Sequence, residues 1–164
     1  MERIWAPWRS AYITGKEEKE GGCVLCNHSR AEKQVWRERG ILYRDDHAYV
    51  VLNKYPYTGG HLMVVPHRHV KSPLALERDE YTSVTLLLRD AIDKVEQAFT
   101  PHGLNVGMNL GRPAGAGIEQ HCHFHVVPRW NGDTNFMSVL SDMRVVSQSL
   151  METYDVLKPF FEPE

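Results

Sequence analysis

Apolar and polar positions along this chain follow two rhythms, and the rhythms divide it into elements. Ile41-Leu42-Tyr43-Arg44 and Ala48-Tyr49-Val50-Val51-Leu52 are short aliphatic and aromatic runs separated by the turn formers Asp45-Asp46, the pattern of two strands. His61-Leu62-Met63-Val64-Val65-Pro66 predicts a third strand, apolar enough throughout to be central in a sheet. From Pro73 to about Phe99 the period lengthens to that of a helix. Leu76, Val84, Leu87, Leu88, Ala91, Ile92 and Val95 keep one face, and Arg78, Asp79, Glu80, Arg89, Asp90, Asp93 and Lys94 lie outside it. Pro101-His102-Gly103 ends that helix, and Leu104 to Leu110 predicts a fourth strand. The period of two returns between Glu119 and Trp130. As a strand, this stretch puts His121, His123 and His125 on one face and Cys122, Phe124 and Val126 on the other. Ala31 to Arg39 reads as a short helix or loop, and Ser147 to Phe161 as a final helix that covers the core. The expected fold is α+β, a meandering antiparallel sheet of about five strands with one long helix and a C-terminal helix.

Composition narrows the class without naming an activity. The chain has 164 residues, enough for one ordinary core, with 42% hydrophobic and 24% charged residues. No repeat or long linker divides it, so residues 23–164 read as a single domain behind an N-terminal arm, residues 1–22. In that arm Trp5-Ala6-Pro7-Trp8 reads as a clamp onto the domain or onto a second subunit. A net charge of −2 argues against nucleic acid held by bulk electrostatics. No apolar run reaches the ~20 residues of a membrane helix, and the start lacks an export signal, so no membrane association is expected. Of the three cysteines, two form Cys23-Val24-Leu25-Cys26, which suits a reducing cytoplasm and a thiolate site better than disulfides.

The histidine stretch changes the picture. Neutral imidazole is a base, a nucleophile and a metal ligand near neutral pH, so three on one strand face read as a reaction surface. His121-Cys122-His123-Phe124-His125-Val126-Val127 resembles the histidine-triad (HIT) superfamily of nucleotidyl hydrolases and transferases. Gly60-His61-Leu62-Met63-Val64-Val65-Pro66 is similar to the family's earlier strand with a fourth active-site histidine, and Met108-Asn109-Leu110-Gly111 with Gly115 and Gly117 to its phosphate loop. The tail Val127 to Phe136, with the Trp5–Trp8 arm, most resembles the bacterial branch described as diadenosine tetraphosphate phosphorylases.

The resemblance implies roles. His123 becomes the nucleophile at the α-phosphorus, His125 the donor that eases departure of the leaving group, and His61 the support of His125. Alone, His61 would read as a satisfied core histidine. Backbone N–H groups of Gly111 to Gly117, with Asn109 and Arg112, would meet phosphate oxygens. Many relatives carry glutamine and then a hydroxyl residue where this chain has Gly117-Ile118; the missing hydroxyl leaves space, or a changed donor set, near the leaving group. Asn53 matches a ribose-binding position, or is a turn-forming asparagine. Zinc-bearing relatives combine a CxxC with two histidines, here Cys23, Cys26, His69 and His121, a closed tetrahedral set for a structural Zn²⁺. His67 competes with His69 for the third place, and the family match favours His69. Cys122, on the other face, is expected to be buried. The implied ligand is an adenine nucleotide or dinucleoside polyphosphate, with inorganic phosphate as a candidate second substrate, on a homodimer. The expected reaction is phosphorolysis of diadenosine tetraphosphate. The alternatives are hydrolysis of dinucleoside polyphosphates or nucleoside phosphoramidates, and a nucleotide-binding sensor with slow turnover. A free-standing zinc module would leave His61, His123 and His125 unexplained.

Overall fold

A computed structural model of the chain describes residues 21–133 and 148–162. The arm's tryptophans, the Thr134–Phe136 end of the tail and Ser147 lie outside the described residues. Five strands, β1 (Ile41–Arg44), β2 (Ala48–Leu52), β3 (Leu62–Pro66), β4 (Gly103–Met108) and β5 (Phe124–Arg129), form one antiparallel sheet in the order β1-β2-β3-β5-β4. The first three strands meander as expected. The last two exchange places, because the helix Arg78–Phe99 carries the chain past one vacant position that β5 later fills.

That helix begins later than its apolar period suggested. Pro73–Ala75 forms a separate 3-10 turn capped by Ser72, and the helix proper opens at a capping box between Glu77 and Glu80. Val84, Leu87, Ala91 and Val95, spaced three and four apart, are buried against Leu42, Val50, Leu62, Val64 and Val126 on one sheet face. The C-terminal helix Leu150–Leu157 and the 3-10 turn Lys158–Phe161 close the same layer with Tyr154, Leu157 and Phe161. On the opposite face Ile41, Tyr49, Val51, Met63 and Val65 pack under Leu25, Ala31 and Trp36 from short turns between residues 24 and 39. Central strands β2 and β3 are therefore buried throughout.

The register puts chemistry on this second face. Met63 pairs with His125, while Leu62 pairs with Val126 beneath the long helix. Period-two geometry then sends His61 and His125 to the Met63 side. Regular strand structure begins only at Phe124, so His121 and His123 sit on the extended approach to β5.

Candidate active site

His61, His121 and His123 are nearly inaccessible, at 1%, 0% and 6% of full exposure. A buried imidazole must place each ring nitrogen against a partner, and those partners dictate which nitrogen carries the proton. His123 donates its Nδ1–H to the carbonyl oxygen of His121 at 2.8 Å, which leaves Nε2 with a bare lone pair. The backbone N–H of Tyr57 donates to His61 Nδ1 at 3.0 Å, so the His61 proton resides on Nε2. His61 Nε2–H in turn donates to His125 Nδ1 at 2.9 Å, which places the His125 proton on Nε2. The rings of His123 and His125 meet edge to face with centroids 4.8 Å apart. One lone pair and one N–H donor thus stand side by side, the equipment for attack on an anionic electrophile.

Electrostatics keep both rings neutral. Burial pushes His125 from 6.5 down to about 4, with the neighbouring His123 adding to the shift. Burial also lowers His123, opposed in part by its bond to the His121 carbonyl. Near pH 7 His123 therefore keeps an unprotonated Nε2, and His125 offers an N–H without carrying charge.

His121 turns away from this pair. Its Nε2–H donates to the Pro66 carbonyl at 2.8 Å, and its Nδ1 lies 3.5 Å from the sulfurs of both Cys23 and Cys26. Cys23 caps the helix Val24–Ser29, so one helical turn brings the two thiols together, and the Tyr49 hydroxyl holds that turn by donating to the Leu25 carbonyl at 2.6 Å. His69 Nδ1 is 3.2 Å from Cys26 Sγ, and ligand atoms of all four residues lie within 4.8 Å of one another, a group that can hold a metal ion. His67 is spoken for elsewhere: its Nε2–H donates to the Asp45 carbonyl and its Nδ1 accepts from the Ser29 hydroxyl.

The loop residues are placed more loosely. In the turn Arg112–Ala114 and after it, the N–H groups of Ala114, Gly115 and Ala116 bond to carbonyls of Gly111 and Arg112. Those three amides, expected to face phosphate, are used by the loop itself. Asn109 donates from Nδ2 to the Gly115 carbonyl at 3.4 Å and braces the turn. The Arg112 guanidinium is exposed, 3.9 Å from the Glu119 carboxylate. Ile118 packs against the cluster that includes Tyr49, Val51 and Val65, which ties the loop's end to the core. Asn53 does form a turn, accepting the Tyr55 N–H at 2.9 Å, and keeps its amide nitrogen near His61. Cys122 is buried, as expected. Sequence reasoning missed Tyr57, whose N–H fixes His61 and whose ring lies 4.6 Å from that imidazole. It also missed the carbonyl of Pro66. Backbone groups leave no residue-type signal, although an aromatic four positions before His61 was visible.

A buried imidazole row set beside a Cys/His cluster on an antiparallel sheet defines the class. The HIT domain model matches residues 37–132, and the chain belongs to that family. It is 36% identical over 161 residues to the AP-4-A phosphorylase of Mycobacterium tuberculosis, covering 96% of this chain and 83% of that protein. A bis(5'-adenosyl)-triphosphatase of Dictyostelium discoideum is 27% identical over 77% of this chain and 88% of its own length. Among solved structures, a zinc-bound histidine triad family protein from Mycobacterium smegmatis shares the fold with a TM-score of 0.66. It is 24% identical and covers 85% of this chain and 93% of its own. Among the described residues no helix is long and apolar enough to cross a membrane.

Proposed function

We propose that this enzyme cleaves diadenosine tetraphosphate by phosphorolysis, yielding ATP and ADP through a nucleotidyl group carried on His123. The observation that carries the reading is the pairing of a bare His123 Nε2 with a proton-bearing His125 Nε2. In the first step a bond forms between Nε2 and the α-phosphorus, the bridging P–O bond breaks, and ATP leaves. His125 Nε2–H hydrogen-bonds the oxygen on which charge collects; a polyphosphate leaving group departs as an anion and needs no proton. In the second step an oxygen of inorganic phosphate attacks, the P–N bond breaks, and ADP leaves. The amides of Gly117 and Ile118, with Asn109 and Arg112, receive phosphate oxygens, and the Asn53 amide receives a ribose hydroxyl. Phosphate as the second nucleophile is favoured by the likeness to the mycobacterial AP-4-A phosphorylase. The likeness to a triphosphatase supports hydrolysis as the second reading, which shares the first step and differs in what attacks next.

The Cys/His group is assigned to Zn²⁺. With Zn–S near 2.3 Å and Zn–N near 2.0 Å, a tetrahedron has S···N edges of about 3.5 Å. Both edges from His121 Nδ1 measure 3.5 Å, and the His121 proton is already parked on Nε2. Cys23, Cys26, His69 and His121 would hold the ion, which would cross-link the Cys23 turn, the chain after β3 and the residue whose carbonyl orients His123. Two free cysteines spaced as CxxC support a reducing, cytoplasmic setting. Dimerisation would use β4, one of the sheet's two edge strands, where Val106 is 43% exposed; a monomeric mass by light scattering would exclude it.

Product analysis tests the reaction: diadenosine tetraphosphate is incubated with and without inorganic phosphate in ¹⁸O water. Phosphate-dependent ATP and ADP free of ¹⁸O is the expected result. Nucleotide carrying ¹⁸O, formed regardless of phosphate, would move the enzyme to hydrolysis.

A further inference from the structure

We propose that the loop from Asn53 to Gly60 is a positioning element that sets the proton direction of the His61–His125 pair, and that the Tyr57 backbone amide decides it. A neutral pair joined Nε2 to Nδ1 has two arrangements. With the shared proton on His61 Nε2, His125 presents Nε2–H outward. With it on His125 Nδ1, His125 presents a lone pair, which repels a phosphate oxygen. Free imidazole distinguishes its two tautomers weakly, so the choice belongs to the environment.

Tyr57 supplies that bias. Its N–H points at His61 Nδ1 at 3.0 Å, which is a hydrogen bond only when Nδ1 is bare. In the reversed arrangement two N–H groups would face each other in a buried place. Losing one such bond there disfavours that form by on the order of tenfold to a hundredfold.

Several contacts keep the amide from turning aside. Asn53 Oδ1 accepts the Tyr55 N–H at 2.9 Å, and the Asn53 backbone N–H donates to the His61 carbonyl at 3.0 Å. Asn53 Nδ2 is 3.4 and 3.5 Å from the two His61 ring nitrogens. An in-plane atom at those distances would collide with Cε1, so the amide rests against the ring face. Thr58 Oγ1–H donates to the Pro128 carbonyl at 2.8 Å, which ties the loop to the strand that bears His125. Gly60, at φ +77°, brings the chain back with no space for a side chain. The loop thus holds both its own amide and the spacing of the two rings.

This assignment rests on His125 acting as a donor, but its test needs no turnover. Long-range ¹H–¹⁵N spectra of the ligand-free, full-length protein report which ring nitrogen of each histidine carries the proton. Wild type and Tyr57→Phe, which keeps the amide, should show His61 and His125 both protonated on Nε2. Tyr57→Pro removes the N–H and should raise the Nδ1-protonated form of both rings at least about tenfold. Its kcat should fall more than its KM rises. A wild-type His61 proton on Nδ1 overturns the proposal even if the proline variant fails to fold. So does a folded Tyr57→Pro protein with unchanged tautomers. The expected tautomers in a protein that turns over no dinucleotide would sink the reaction and leave this assignment standing.

Discussion

Gly60 joins the positioning loop to His61, and its replacement by alanine gives a prediction whose size can be worked from the structure. At φ +77° an alanine is strained by about 1–2 kcal/mol. Reduced freedom of the unfolded chain returns about 0.4–1 kcal/mol. The added Cβ would also stand 2.8 Å from Phe99 Cε2 and 3.1 Å from Pro128 Cγ. Phe99 packs against the core and Pro128 is a rigid, buried ring in β5, so neither yields freely, and such overpacking adds about 1–3 kcal/mol. Gly60→Ala should therefore lose roughly 1–4.5 kcal/mol in urea unfolding, about 3 kcal/mol at the midpoints of those ranges. Two controls separate the contributions. Gly132, at φ +82°, has nothing within 4 Å among the described residues, so Gly132→Ala isolates backbone strain at about 1 kcal/mol. Gly103 has neither positive φ nor, among the described residues, an atom within 4 Å of an added Cβ, and its alanine variant should stay within about 0.5 kcal/mol of wild type. If Gly60→Ala costs no more than Gly132→Ala, the close approach of the loop to Phe99 and β5 does not constrain this molecule, and the reasoning fails.

Three further outcomes follow from the site. His123→Ala should lower turnover by at least about a thousandfold while nucleotide binding, read by calorimetry, survives; wild-type-like rates would remove His123 as nucleophile. Cys26→Ser should reduce bound metal well below one ion per chain, and a chelator should lower the melting temperature of wild type but not of the variant. An unchanged metal assay would remove the site. The folded-state value of His125 is pushed below its ordinary one, to about 4 from 6.5, so the unfolded chain binds a proton that the native state refuses. That contribution to stability is complete above about pH 6.5 and is lost as pH falls toward about 4. His125→Asn should flatten the fall in urea midpoint between about pH 7 and pH 5, and an identical slope would show that His125 titrates normally in the fold.

Much of this protein was legible along the chain because the relevant information is local. Period two placed three histidines in one row and Val126 on the core side, and period 3.6 marked the buried stripe Val84, Leu87, Ala91 and Val95. Only His125 of that row lies in a paired strand, with His121 and His123 on the extended approach to it, so alternation grouped the candidate residues without assigning their roles. The same information does not carry strand order. That β5 enters between β3 and β4 depends on the crossover of the long helix, a property of connected chain lengths and handedness. Nor does it carry the partners of each ring. His121 finds Cys26 across 95 positions of sequence, and only the folded turn at Cys23 brings both sulfurs to the same nitrogen. His67 and His69 stand two residues apart and are alike as side chains, but the packing of Ser29 and the Asp45 carbonyl engages one and leaves the other beside the thiols. The phosphate loop shows the same limit, since its glycines announced a tight turn and not which amides the turn would consume. Residue types in the sequence therefore decided which chemistries were available. Tertiary structure alone decided the protonation of each imidazole, because that choice is made by backbone groups at Tyr57, Pro66 and His121, whose positions depend on long-range packing and not on side-chain identity.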